Sequence, residues 1–149
     1  MLFRSLRLFI FKCHPEFKGK QLTENYLAGN VGFSDSVEKT LSQVESLAKT
    51  GIEERRLVFN SAEVKGIEGC GLFNRMPNRH IGPYKLEPQF CFIHLTLQEL
   101  LAARNIAKMK SNDLSDFITS NVSDPKWHCV FQFVAGLLDR KSTRLNSSH

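Results

Sequence analysis

The chain has little that is long and apolar: no unbroken run exceeds Leu8-Phe9-Ile10-Phe11. That is far short of the roughly 20 residues a membrane-spanning helix needs, which excludes such a helix and gives no reason to expect a membrane as partner. Cysteine is sparse too. Cys13, Cys70, Cys91 and Cys129 include no Cys-x-x-Cys pair, so neither a structural zinc site nor a thioredoxin-type redox centre is read, and reduced buried thiols are expected. Cys13-His14 and His128-Cys129 are adjacent pairs rather than ligands about two to four apart, so no metal ligand is assigned. Asn121-Val122-Ser123 matches a glycosylation tripeptide that has meaning only in a secreted chain. Arg7 interrupts the N-terminal apolar stretch and no small-residue cleavage site follows it, so a cytoplasmic location is expected.

Charge of one sign is in only modest excess, with 20 Lys and Arg against 15 Asp and Glu, or +5. The segment Lys141 to His149 is polar and aperiodic, and it is similar to an adapter-derived tail, "STRLNSSH", found at the ends of unrelated reading frames. Without Lys141 and Arg144 the excess falls to +3, too little to argue for nucleic acid. What remains, 42% hydrophobic and 23% charged, is the composition of a globular protein. Met1 to Phe17 carries Arg4, Arg7 and Lys12 and no acid before Glu16, a pattern that fits a mitochondrial presequence or a basic amphipathic helix within a longer chain.

Helix signals dominate the rest. Asp35 precedes Glu38 at capping-box spacing and opens an apolar series, Val37, Leu41, Val44, Leu47, Ala48 and Ile52, that predicts an amphipathic helix closed by Gly51. Asn60 and Glu63 repeat the cap and predict a second, shorter helix ending among Gly66, Gly69 and Gly71. Met76 to Pro88 reads as loop, and Gln89 to Leu95, with Phe90, Phe92 and Ile93, as a short strand. Thr96 and Glu99 form a further capping-box pattern, opening a helix to about Met109. Leu114 to Ile118 suggests a helical turn or two. Asp124-Pro125 predicts a cap and first-turn proline before a helix from Trp127 to Leu138.

The residues also carry a resemblance. Phe92-Ile93-His94-Leu95-Thr96-Leu97-Gln98-Glu99-Leu100-Leu101-Ala102-Ala103 resembles the F-x-H-L-[ST]-[FL]-Q-E-[FL]-[FL]-A-A block of NLR proteins, the NACHT-domain innate immune sensors. Upstream, Leu47-Ala48-Lys49-Thr50-Gly51-Ile52, then Leu57-Val58-Phe59, Glu63-Val64 and Gly71-Leu72 follow the order of motifs in their winged-helix domain. Downstream, Val130 to Leu138 is similar to their [VL]-x-x-F-x-x-G-L-[LF] helix. The resemblance implies a mainly α fold: a preceding helix and linker over 1–34, a winged-helix domain with a short β wing over 35–95, and a completing helix with the start of a helical domain over 96–140. Residues 141–149 are set aside as the foreign tail.

No Gly-x-x-x-x-Gly-Lys-[Ser/Thr] is present; Gly66, Gly69 and Gly71 run into Leu72-Phe73-Asn74. Without that cradle of backbone amides and its lysine, no ATP hydrolysis is expected of these residues, and no catalytic residue is assigned. The resemblance implies a non-catalytic regulatory segment whose parent holds ADP or ATP in its NACHT domain, carries leucine-rich repeats and oligomerises on activation. In the family, the histidine of the wing-to-helix block contacts the β-phosphate of ADP, and His94 is the matching residue. A histidine hydrogen-bonded only within the wing is the alternative for His94 taken alone. Gln98 and Glu99 have no second carboxylate for acid-base chemistry, and Cys91 and His94 fall on opposite faces of a strand. Trp127 and the phenylalanines read as core. Two other functions stay open: a winged-helix nucleic-acid-binding domain, poorly served by a second helix offering only Lys65, and a stand-alone interaction adaptor.

Overall fold

The computed structural model describes residues 35–146, which are mainly helical with a three-stranded antiparallel sheet. The expectations for Met1 to Phe17, for the linker that follows and for Cys13-His14 lie outside the described residues. Two compact units divide the chain: among the described residues, 35–44 with Val58–Ile93, and Glu45–Leu57 with 94–146.

Helix α1, Asp35–Glu53, begins where the Asp35 signal put it, and Val37, Leu41, Val44, Ala48 and Ile52 are all buried, as steps of three and four dictate. Gly51 does not close it. The chain leaves the helix at Arg55, whose φ of 56° is left-handed; Arg55 N–H donates to the Ile52 carbonyl (3.2 Å) and Arg56 N–H to that of Gly51 (2.8 Å). This is a Schellman closure with arginine where glycine is usual.

In the first unit the Asn60 box forms without a helix. Glu63 N–H donates to Asn60 Oδ1 and Asn60 N–H to Glu63 Oε2, both at 2.9 Å, yet the residues after it run as successive turns. Ile67 N–H reaches the Val64 carbonyl and Cys70 N–H that of Ile67, and Gly66, at φ 85°, breaks any helical continuation. The predicted second helix is therefore corrected to a run of turns that buries Val64, Ile67 and Cys70.

The predicted loop is also corrected. Strand β2, Phe73–His80, and strand β3, Leu86–Phe92, form a hairpin, with β1, Phe59–Asn60, on the other side of β3. Phe73 pairs with Phe92, Arg75 with Phe90, and Phe59 with Phe90. The ladder is irregular between Met76 and Arg79, opposite Pro88, and there both Pro77 and Pro88 escape the demand for a donor. Phe92 is the pivot of the unit's core, edge-on to Phe59 at 5.8 Å and tilted on Phe73 at 4.7 Å. The strand also ends sooner than predicted, at Phe92 rather than Leu95.

The second unit is helical: α2, Leu95–Ala107; α3, Ser111–Asn121; a 3₁₀ turn, Pro125–Trp127; and α4, His128–Asn146. Helix α3 is longer than the turn or two read from Leu114 to Ile118. Asp124 caps as predicted, its carboxylate accepting from Lys126 N–H at 3.1 Å, with Pro125 in the first turn. Trp127 is buried as expected, stacked on Phe131 and edge-on to Phe117. Helix α4 runs past Leu138 to Asn146, so residues 141–146 of the segment set aside as foreign are helical. Among the described residues no helix is long and apolar enough to cross a membrane.

Candidate functional site

The residue singled out by the sequence, His94, is the N-cap of α2. Its backbone is extended (φ −147°, ψ 142°), and its carbonyl accepts from both Leu97 N–H (3.1 Å) and Gln98 N–H (3.2 Å). The Thr96–Glu99 capping box does not form: Leu95 and Thr96 already lie in the helix, and no side chain caps its start. Buried Gln98 supplies a physical reason, because its amide donates to the Arg56 carbonyl at 3.3 Å and holds this turn in helical geometry.

The consequence is an open helix terminus. The amides of Leu95 and Thr96 have no acceptor within the helix, and the first turn contains no acidic residue. The partial positive charge of the terminus is therefore unopposed by a neighbouring carboxylate, and the exposed His94 ring stands at its edge. An imidazole N–H and two free amides are a donor set suited to an anion such as a phosphate. His94 is not hydrogen-bonded as a cap, nor does it lie in the strand of the hairpin, whose last residue is Phe92. Cys91 sits within β3, paired with Asn74, so Cys91 and His94 belong to different elements.

Glu99, read from sequence as half of a cap, has another partner. Its carboxylate accepts a hydrogen bond from the exposed Cys129 thiol, and this bond, reinforced by the carboxylate's charge, pushes the thiol pKa above its ordinary value. Cys129 is thereby made a poorer nucleophile rather than an activated one. Among the described residues no group of three or more His, Cys, Asp or Glu side chains converges on a point where a metal could sit.

At the opposite end of α2, in its last turn, lies an ion cluster around a buried carboxylate that the sequence reading missed. Glu45, whose side chain is 1% exposed, accepts from Arg104 Nε at 2.9 Å and from Lys108 Nζ at 2.7 Å. A signal was present: Glu45 lies four residues after Leu41 and three before Ala48, on the apolar stripe of α1, and Arg104 likewise falls on the buried stripe of α2 with Leu100 and Leu101. A charge on each of two apolar faces is a reason to look for a pair. The cluster ties α2 to the C-terminal half of α1. Compared with family models and with curated proteins, the chain matches none.

Proposed function

We propose that this chain is a non-catalytic regulatory segment of an NLR-type, nucleotide-gated receptor of the cytoplasm, with a winged-helix arrangement followed by the start of a helical domain. The observation that carries the reading is the open N-terminus of α2 with His94 at its edge, uncapped and without an acid in its first turn. The donor set fits a phosphate, and it lies within the block of residues that resembles the family's nucleotide contact.

In this reading ADP held by the NACHT domain of the parent supplies the negative charge. His94 donates a ring N–H to a phosphate oxygen, and the amides of Leu95 and Thr96 add the field of the helix terminus. Gln98, bonded to the Arg56 carbonyl, keeps that turn in place, and Arg104, paired with Glu45 in the last turn, anchors the other end of α2, so His94 is presented from a fixed helix. Loss of the phosphate contact favours the released state, and the parent then oligomerises to signal in innate immunity; leucine-rich repeats of the same parent are its other intramolecular partner. The nucleic-acid reading has less support, because residues 61–69, where a reading helix would stand, form turns.

The test is His94→Ala in the receptor carrying this segment. The expected result is faster loss of bound ADP and raised activity without stimulus. Unchanged nucleotide retention together with unchanged basal activity sinks the gating role of His94.

A further inference from the structure

The β2–β3 hairpin has a second feature, independent of the nucleotide reading. Ile81, Tyr84 and Leu86, at its turn, are 44%, 99% and 53% exposed. The other large exposed apolar residues among those described, Leu57, Leu95 and Val122, stand singly along the chain, so the clustering is confined to this turn. The turn is closed by Ile81 N–H donating to the Lys85 carbonyl at 3.0 Å, and Gly82, at φ 148°, supplies backbone freedom that an L side chain would resist. Lys85 within the turn and Arg79 just behind it are exposed, and neither forms an ion pair among the described residues. The hairpin contains a single acid, Glu87, which is paired in register with Arg79.

We propose that the turn of this hairpin docks on an anionic membrane surface, with Ile81, Tyr84 and Leu86 entering the interface and Arg79 and Lys85 facing the lipid headgroups. The charge pattern selects an anionic partner, and the apex selects among anionic partners. Of the three apex residues only Tyr84 has a ring for base stacking and a hydroxyl for a phosphodiester backbone; Ile81 and Leu86 have neither, and two aliphatic side chains out of three favour a lipid surface over nucleic acid. Aliphatic side chains gain from the acyl boundary, and a tyrosine with an apolar ring and a polar hydroxyl suits the headgroup level. The two basic residues add attraction that falls away within a Debye length of the surface. The absence of a spanning helix has no bearing on such peripheral docking.

The full chain is to be floated with phosphatidylcholine vesicles, with and without phosphatidylserine. Binding is expected only with phosphatidylserine and should weaken as salt rises. Replacing Arg79 and Lys85 by glutamine should lower partitioning about fivefold per residue. The Ile81→Ser/Tyr84→Ser variant should bind at least about tenfold more weakly at unchanged circular dichroism, which reports that the fold is kept. Lys85→Gln alone, in the turn itself, serves as the least disruptive check. No binding of the native chain to phosphatidylserine vesicles overturns the proposal, as does binding that neither set of substitutions reduces. A single-stranded oligonucleotide bound in preference to vesicles, and lost in the same variants, overturns it in favour of nucleic acid.

Discussion

Among the described residues, the sheet-containing unit buries one polar side chain, Thr40, beside an otherwise apolar core, whereas the helical unit buries Glu45, Gln98 and Arg104. The first is organised by rings and a strand ladder, with Phe92 touching Phe59 and Phe73. The second has aromatic packing too, around Trp127, but it adds a carboxylate held between two cations. Apolar contacts are non-directional and tolerate adjustment, while a buried charge permits few geometries. The difference places the directional interactions in the unit that presents His94. In the proposed reading a phosphate contact needs a fixed donor, and Gln98, bonded to the Arg56 carbonyl in the first turn of α2, is the buried polar group that would supply that fixity.

The comparison can be broken by substitution. Phe92→Ala should have the largest effect, about 4 kcal/mol lost in denaturant unfolding, because it empties the meeting point of three rings. Glu45→Ala should follow at about 3 kcal/mol, since it leaves the buried Arg104 guanidinium without its carboxylate. The double change Glu45→Leu/Arg104→Met sharpens the point: if the pair serves geometry more than stability, unfolding free energy should stay within about 1 kcal/mol of the native chain. A double variant as damaged as Glu45→Ala would show instead that the pair itself stabilises the unit. Asn60→Ala should cost about 1 kcal/mol in the same measurement, as the cap of a turn rather than of a long helix.

The smallest effect concerns acid. The hydrogen bond from Lys126 N–H, with help from the Lys126 and Arg55 charges, holds the Asp124 carboxyl below its ordinary value of 3.8. The folded state then favours the carboxylate, so the contribution is present above about pH 3.8 and is lost as pH falls through the lower folded value. Asp124→Asn keeps a capping oxygen, so it should flatten that acid limb in a pH series of thermal melts and cost the neutral region only the charge interactions with Lys126 and Arg55.

How far the sequence was readable differs between the units in the same way. Helices α1, α2 and α4 rest on local periodicity, and the Asp124-Pro125 start is a short-range signal, so each was legible without knowledge of distant contacts. The hairpin was not. Pro77 and Pro88 argue against strands when read locally, and only the irregular register that sets them opposite each other makes both tolerable. At Asn60 the cap was legible, but Gly66 and the burial of Val64, Ile67 and Cys70 decide that turns follow it. His94 was found through a resemblance, yet its place as an uncapped N-cap was hidden by the Thr96–Glu99 pattern. Gln98 and Cys129 draw that turn and Glu99 elsewhere, and both contacts cross long stretches of chain.

The most direct test of the central claim is to sequence the transcript from which this chain is translated, upstream of Met1 and downstream of Leu138. A nucleotide-gated receptor requires an in-frame Gly-x-x-x-x-Gly-Lys-[Ser/Thr] upstream, and the account predicts one. A stop codon immediately before Met1 in frame, with no phosphate-binding loop anywhere in the transcript, would contradict it and remove the nucleotide role assigned to His94.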